Sequence, residues 1–382
     1  MISEALLTEY KRFPSHWKIL LFSEAFEDKT GGQTKIQKGD YLNDGLLPIV
    51  DQGQSLFGGF TNDPSSACKI ELPCILFGDH TKTFKFIEEP FALGADGVKV
   101  LKQRNDIEPK FAFHYLNTLT LPNVGYSRHF RFLKRTFFPL PPLEEQRRIA
   151  AILDKADAVR RKRQSAIALT EELLRSAFLE MFGDPVTNPK GWKVESLGEI
   201  ATFLGGGTPS RKQPKYYEGD ICWASSKDMS VDVLVDTEEH ITKEAIDNSS
   251  TKLVNVGVLL VVVKSKILMR RLPVARTEVN TCFNQDIKAI APHNLFITRY
   301  IHRHIKLGQE TLLRQARGVN TEGLTLEHLR NYKVMTPPAP QVNKFVELEK
   351  SLERSLSTNQ KAAKESQNLF NSLLQRAFRG EL

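Results

Sequence analysis

Hydrophobic positions along the chain fall into two kinds of pattern, and each kind occurs twice. In the first long pattern Ile149, Ile152, Leu153, Ala156, Val159, Ile167, Leu173, Leu174, Ala177, Phe178 and Met181 recur at helical spacing. They form one apolar stripe along an α-helix. Asp154, Lys155, Arg161, Lys162 and Glu171 lie off that stripe. Prolines stop just ahead of it, and Glu144 and Glu145 occupy the first turn, where they complement the helix dipole. Gly183 is placed to take the left-handed conformation that ends a helix, and Pro185 follows. A second stripe runs through Phe345, Leu348, Leu352, Leu356, Ala363, Leu369, Phe370, Leu373 and Ala377, with Gly380 at its end. The spacing predicts helices over 143–183 and 339–382, each about 60 Å long at a rise of about 1.5 Å per residue. Such a stripe on a lone helix stays exposed, so the expectation is an antiparallel coiled-coil pair.

The other pattern is short and irregular, and fills 15–142 and 184–338. Strands are predicted over 46–50, 74–77, 98–101 and 256–263, and helices over 109–118 and 297–309, separated by turns rich in Gly and Pro. The most apolar run, 253–263, carries Asn255 and is too short to cross a bilayer, so it reads as buried strand. The fold class is α+β, and the order of strands in the sheets is not readable.

Self-similarity then orders the whole chain. PSHWKILLFSEAF at 14–26 resembles NPKGWKVESLGEI at 188–200, with Trp17 and Trp192 lying 175 residues apart. FPLPPLEEQRRIAAIL at 138–153 resembles VMTPPAPQVNKFVEL at 334–348, with the Pro pairs 196 apart. LLRSAF at 173–178 matches LLQRAF at 373–378, 200 apart. The growth from 196 to 200 puts about one extra turn in the second helix, which a coiled coil absorbs as a stutter. The chain therefore reads as an internal repeat with a pseudo-two-fold relation. A short N-terminal segment, 1–14, leads into a globular domain at 15–142 and a helix at 143–183. A second globular domain at 184–338 and a second helix at 339–382 follow.

Composition changes this picture little. Lys and Arg exceed Asp and Glu by 53 to 45, for a net charge of +8, which permits a polyanionic partner without demanding one. The four cysteines form no CxxC pair, and no His stands at zinc-ligand spacing from them. They read as scattered thiols of a reducing cytoplasm. The mixed, charged opening MISEALLTEYKRF is not a secretory signal.

Catalytic sets are missing from the sequence. No Gly-rich cofactor strand with an Asn/Asp-Pro-Pro-Tyr loop points to methyl transfer, and no convincing set of an acidic residue with a Glu-x-Lys pair on a strand points to a nuclease. The GGGTPS loop lacks the Lys-Ser/Thr that a nucleotide-binding P-loop needs. Its Thr208, Ser210, Arg211 and Lys212 read instead as a polar loop suited to DNA. Asp79, His80, Thr81, Lys82 and Lys85 form a polar turn after an apolar strand, with phosphate-binding charge and groups able to read base edges. Tyr126, Ser127, Arg128, His129 and Arg131 make the densest basic run of the first domain. Phe130 and Phe132 alternate within it and predict a strand with its basic face outward. Arg314, Arg317, Asn320 and Thr321 hold the corresponding place before the second hinge. Ser225, Ser226 and Lys227, and the cluster Lys264, Lys266, Arg270 and Arg271, complete the candidate DNA contacts.

These residues resemble a family. WKVESLGEIATFLGGGTPS, YYEGDICWASSKDM, ILFGDHTKTFKF with GADGVKVL, the hinge LPPLEEQRRIAAILD and the helix ends LLRSAF and LLQRAFRGEL are similar to type I restriction-modification specificity subunits. The duplicated order carries more weight than any one motif. The resemblance implies two target-recognition domains, each reading half of a split, asymmetric double-stranded DNA site, with the paired helices setting the gap. It implies a non-catalytic cytoplasmic chain that binds no metal or cofactor, with no membrane contact. Two modification (methyltransferase) subunits and the restriction (translocase-nuclease) subunits would bring S-adenosylmethionine, ATP and Mg. Partner contacts are expected at the hinge, at Pro142, Glu145 and Gln146. The second hinge, PPAPQVNKF, departs from the first, and Gln341 is the candidate replacement. A protein-binding coiled-coil scaffold, or a DNA-binding adaptor of another defence complex, is the alternative.

Overall fold

The computed structural model describes residues 13–95, 97–123, 125, 127–316 and 323–382. It divides into two units, Met1–Ser165 with Gln360–Leu382, and Ala166–Asn359. Each unit thus combines a globular part with one end of each long helix.

Those helices run over Leu143–Phe182 and Ala339–Ala377. The first begins after Pro142, with Glu144 and Glu145 in its first turn. It is followed by Gly183 at φ +83°, whose N–H donates to the Leu179 carbonyl, as a left-handed stop requires. In the first unit Ile149 and Leu153 share one core with Ala377 and Phe378, and Arg160 lies over the ring of Phe370. The pairing there is antiparallel. In the second unit Phe178 and Phe182 pack on Phe345. The stripe is not buried throughout. Val159, Leu173 and Leu369 are exposed, because a single partner helix covers one face, and full burial is reached only where the globular cores close over the helix ends.

The first unit contains β1 Lys18–Leu21, β2 Phe26–Asp28, β3 Lys35–Ile36, β4 Leu47–Val50, β5 Gly59–Thr61, β6 Cys74–Gly78, β7 Phe84–Ile87, β8 Ala92–Gly94, β9 Val98–Gln103 and β10 Phe137–Leu140. The second contains β11 Val194–Ser196, β12 Ala201–Gly205, β13 Ile221–Ala224, β14 Val233–Leu234, β15 Glu239–Ile241, β16 Leu259–Val262, β17 Val274–Thr277, β18 Thr281–Phe283, β19 Ile287–Pro292 and β20 Lys333–Met335. Sheet order repeats between them. β2-β9-β6-β7 corresponds to β12-β19-β16-β17, to which β14 is added. β5-β4-β8, extended by β3, corresponds to β15-β13-β18. The senses also agree: β4 and β13 each have one antiparallel and one parallel neighbour. In both units a strand just after the Trp-Lys pair runs antiparallel to the strand entering the Pro-Pro hinge, β1 with β10 and β11 with β20.

One expected strand is a helix. Phe130–Leu133 forms a helical turn, since the residues it buries are Phe130 and Leu133, three apart, whereas Phe132 is only partly covered. The alternation of Phe130 and Phe132 is therefore not a two-residue period. Among the described residues no helix is long and apolar enough to cross a membrane.

Candidate nucleic-acid interface

In the first unit the β6–β7 turn is the centre of a loop cluster. β6 is wholly buried, so its first residue beyond Gly78 is presented at a fixed place. Asp79 N–H donates to the Gly97 carbonyl at 2.6 Å, and the Asp79 carbonyl accepts from His129 N–H at 2.9 Å. Asp79 Oδ1 accepts from Phe130 N–H at 2.6 Å, which fixes the start of the 130–133 turn. Thr81 Oγ1 donates to the Gln52 carbonyl at 2.7 Å, and His80 N–H reaches Gln52 Oε1 at 3.4 Å. A Cβ at Gly78 would stand 2.2 Å from Thr81 Oγ1, so a larger residue there would push that hydroxyl off the Gln52 carbonyl.

The second unit builds the same frame with other residues. Val263, the first residue past β16, donates its N–H to the Asp286 carbonyl at 2.8 Å and accepts from Leu324 N–H at 2.8 Å. Asp286 precedes β19 as Gly97 precedes β9. A Cβ at Gly323 would sit 2.3 Å from the Val263 carbonyl, so the returning chain passes as closely here as His129 passes Asp79. The β16–β17 connection, with Lys264, Lys266, Arg270 and Arg271, is thus the counterpart of the Asp79–Thr83 turn. All four cations are exposed, and none has a charged partner among the described residues.

The frame separates the predicted contacts into two groups. Asp79, Lys85 and His129 are buried and internally engaged, which corrects their reading as DNA contacts. Lys85 Nζ donates to the Asp51 carbonyl at 2.6 Å and lies 3.6 Å from its carboxylate. Burial lowers the Lys85 pKa, and Asp51 opposes the shift. His129 Nδ1 lies 2.9 Å from the Asp79 carbonyl oxygen. Arg128 and Arg131 are exposed, and His80, Thr81, Lys82 and Ser127 are partly exposed. Tyr126, Arg317, Asn320 and Thr321 lie outside the described residues. Arg314 is exposed on the helix Gln309–Ala316.

The glycine loop after β12 has a packing explanation. Cβ atoms at Gly206 and Gly207 would meet the Asn284 carbonyl at 2.2 Å and Ser250 Oγ at 2.1 Å. Trp223 is buried and donates from Nε1 to the Gly207 carbonyl at 3.1 Å. Beyond the glycines Thr208, Ser210, Arg211 and Lys212 are exposed. Arg211 makes a bidentate pair with Glu239 and stacks 4.1 Å over the Tyr217 ring. Its hydrogen bond to Glu239 raises the Arg211 pKa and lowers that of the carboxylate. Lys227 is exposed, and Ser225 and Ser226 are half-buried in a loop held by Asp228, which accepts from Ser225 N–H at 2.8 Å.

At the hinge Pro141 and Pro337 are buried, and Pro142 and Pro338 are exposed. Gln146 is buried and wholly used inside the unit, which corrects its reading as a partner contact. Its Oε1 accepts from Glu108 N–H at 2.8 Å, and its Nε2 donates to the Pro141 and Asp106 carbonyls at 2.9 and 3.1 Å. At the 196-residue offset its place is taken by buried Val342, and Gln341, which is exposed, stands at the place of Glu145. The second hinge replaces a polar clamp with an apolar plug. Glu145 is half-buried and lies 3.3 Å from His16.

Sequence reasoning missed Gln52 and Asp286, and gave Gly97 no role beyond its place in the GADGVKVL motif. The loop residues that these three support are at least 18 residues away along the chain, which no local spacing reveals.

The sequence profile of the type I restriction modification DNA specificity domain matches this chain twice, at 14–169 and 189–365. The EcoR124I/EcoR124II specificity subunit of Escherichia coli is 29% identical over 332 residues, covering 82% of this chain and 81% of that protein. The MjaIX specificity subunit of Methanocaldococcus jannaschii is 23% identical over 269 residues, covering 65% and 61%. A crystal structure of the type I restriction-modification S subunit from M. genitalium has the same fold. Its TM-score is 0.64 at 15% identity, with 95% of this chain and 96% of that one covered. With two matched domains carrying the same sheet order and the same loop frame, the chain belongs to the type I restriction-modification DNA specificity family and is a non-catalytic specificity subunit.

Proposed function

We propose that each unit reads one half of a split, asymmetric double-stranded DNA sequence through the loop cluster at the end of β6 or β16. The observation that supports this is the duplicated frame: equivalent hydrogen bonds at Asp79 and Val263 carry loops of unrelated sequence. Such a frame lets specificity change in one half while the fold stays constant. Exposed Lys and Arg supply phosphate contacts and salt-dependent affinity, and polar side chains in the grooves supply sequence choice. The proposed contacts are His80, Thr81, Lys82, Ser127, Arg128 and Arg131 in the first unit. In the second they are Thr208, Ser210, Lys212, Ser225, Ser226, Lys227, Lys264, Lys266, Arg270, Arg271 and Arg314.

Two modification subunits dock at the hinges, on the exposed Pro142 and Gln341 and the half-buried Glu145, and restriction subunits join them in the cytoplasm. S-adenosylmethionine, ATP and Mg belong to those partners. The test expresses the chain with its modification subunit and maps methylated bases by long-read sequencing. A bipartite motif with an unread gap is expected, and a continuous motif or none would overturn the reading. In binding assays, replacing Lys264, Lys266, Arg270 and Arg271 by Ala reduces the salt dependence by about 0.9 in log–log slope for each phosphate that is no longer neutralised.

A further inference from the structure

Antiparallel pairing of β13 with β15 sets Cys222 directly opposite His240. Asp236 lies four residues before His240, and its Oδ1 is 3.7 Å from Cys222 Sγ and 2.8 Å from His240 Nε2. All three ligand atoms fall within 4.8 Å of one another. A tetrahedral zinc ion, with bonds of about 2.0–2.3 Å, holds such atoms roughly 3.3–3.8 Å apart. The Cys222–Asp236 spacing already falls in that range, and the His240–Asp236 contact has to open by about half an ångström to enter it. Thiolate, imidazole and carboxylate are also the donor types that select zinc over magnesium or calcium.

We propose that Cys222, Asp236 and His240 form a zinc site with its fourth position open to water. The donors are held in place before metal arrives. Thr237 N–H donates to Asp236 Oδ1 at 2.9 Å. The buried Thr237 hydroxyl accepts from Trp223 N–H at 3.1 Å and donates to the Glu239 carbonyl at 2.7 Å. Cys222 is buried, whereas the side chains of Asp236 and His240 are 71% and 31% exposed, which gives an ion a route in. Cys282, on the neighbouring strand, is paired with Trp223 rather than with Cys222, so the second thiol belongs to the other face. The ion would bolt the segment between β14 and β15 to β13. That same segment steadies the loop after β13, because Glu238 N–H donates to Asp228 Oδ1 at 2.8 Å while Asp228 Oδ2 holds Ser225.

The test strips the full-length chain with a chelator and titrates it with Co²⁺, then with Zn²⁺. One Co²⁺ per chain is expected, with tetrahedral visible bands and a thiolate-to-cobalt charge-transfer band that Zn²⁺ abolishes. Cys222→Ser removes the charge-transfer band. Asp236→Asn, at an exposed side chain where folding is not at stake, and His240→Ala each weaken binding by at least about tenfold, no less than the loss of an outer-shell partner costs. Absence of the charge-transfer band in the wild-type chain overturns the proposal. So does its survival in Cys222→Ser, or unchanged affinity in Asp236→Asn.

Discussion

His304 shows how much one buried side chain can govern. It accepts through Nε2 from Met335 N–H at 3.1 Å, and its Nδ1 lies 3.0 Å from the Tyr332 hydroxyl. That hydroxyl donates to the His304 carbonyl at 3.1 Å, so Nδ1 carries the proton and the ring is neutral. Burial pushes its pKa down to about 3, and that of His302 down to about 4, from an ordinary 6.5. Between these values the unfolded chain binds more protons than the folded one, so stability rises with pH. The stabilising effect is fully present above pH 6.5 and is lost as pH falls through about 4. In a Trp17→Phe chain, where Trp192 and Trp223 report the second unit, urea midpoints should fall steadily below pH 6.5; a flat profile down to pH 4 would contradict the neutral ring. Gln146 makes a second case. Gln146→Ala strands the Glu108 N–H and the Asp106 and Pro141 carbonyls, and should cost about 1–3 kcal/mol in denaturant unfolding. Glu145→Ala, at a half-buried position, should cost much less.

At the scale of elements the C-terminal helix is tied to its globular part by buried charge. Arg303, on the helix Thr298–Leu307, reaches Glu349 at 3.2 Å and Glu171 at 3.5 Å. Arg276 and Arg299 both hold Glu353. Glu349 is buried, and burial raises its pKa while Arg303 opposes the rise. Removing only the cation is therefore the damaging change. Arg303→Met should destabilise the second unit by about 3–5 kcal/mol, and Arg303→Met with Glu349→Leu should recover most of that loss. The same scale shows what a sequence reveals. The long helices were legible because their stripe is periodic and their stops are chemical: Pro142, Gly183 and Gly380 each act within a turn. The strands 74–78 and 98–103 were legible as apolar runs, but their adjacency was not, because β6 pairs with β9 across about two dozen residues and nothing local encodes the partner. Site residues suffered most. Asp79, His129 and Gln146 have the polarity of contacts, and only long-range hydrogen bonds reveal that they hold loops rather than ligands.

For the whole molecule the duplicated frame has a genetic consequence. If Asp79 with Gly97 and His129, and Val263 with Asp286 and Leu324, are the constant supports of two independent reading heads, then the loops they carry are exchangeable one unit at a time. The junctions for such an exchange are also duplicated. β1 pairs with β10 at the entrance to the first hinge, and β11 pairs with β20 at the second. A transplant of residues 15–142 from another member of the family keeps both strands of the first pair together and leaves the second unit untouched. Methylation mapping of such a chimera should show a new half-site on one side and the original half-site on the other. Loop substitutions such as Lys82→Ala or Arg128→Ala should weaken binding without redirecting it if those side chains meet phosphates, and should relax one position if they meet bases. A transplant that altered both half-sites would mean that the units do not read DNA separately, and the repeated loop frame would then be inheritance without modular function.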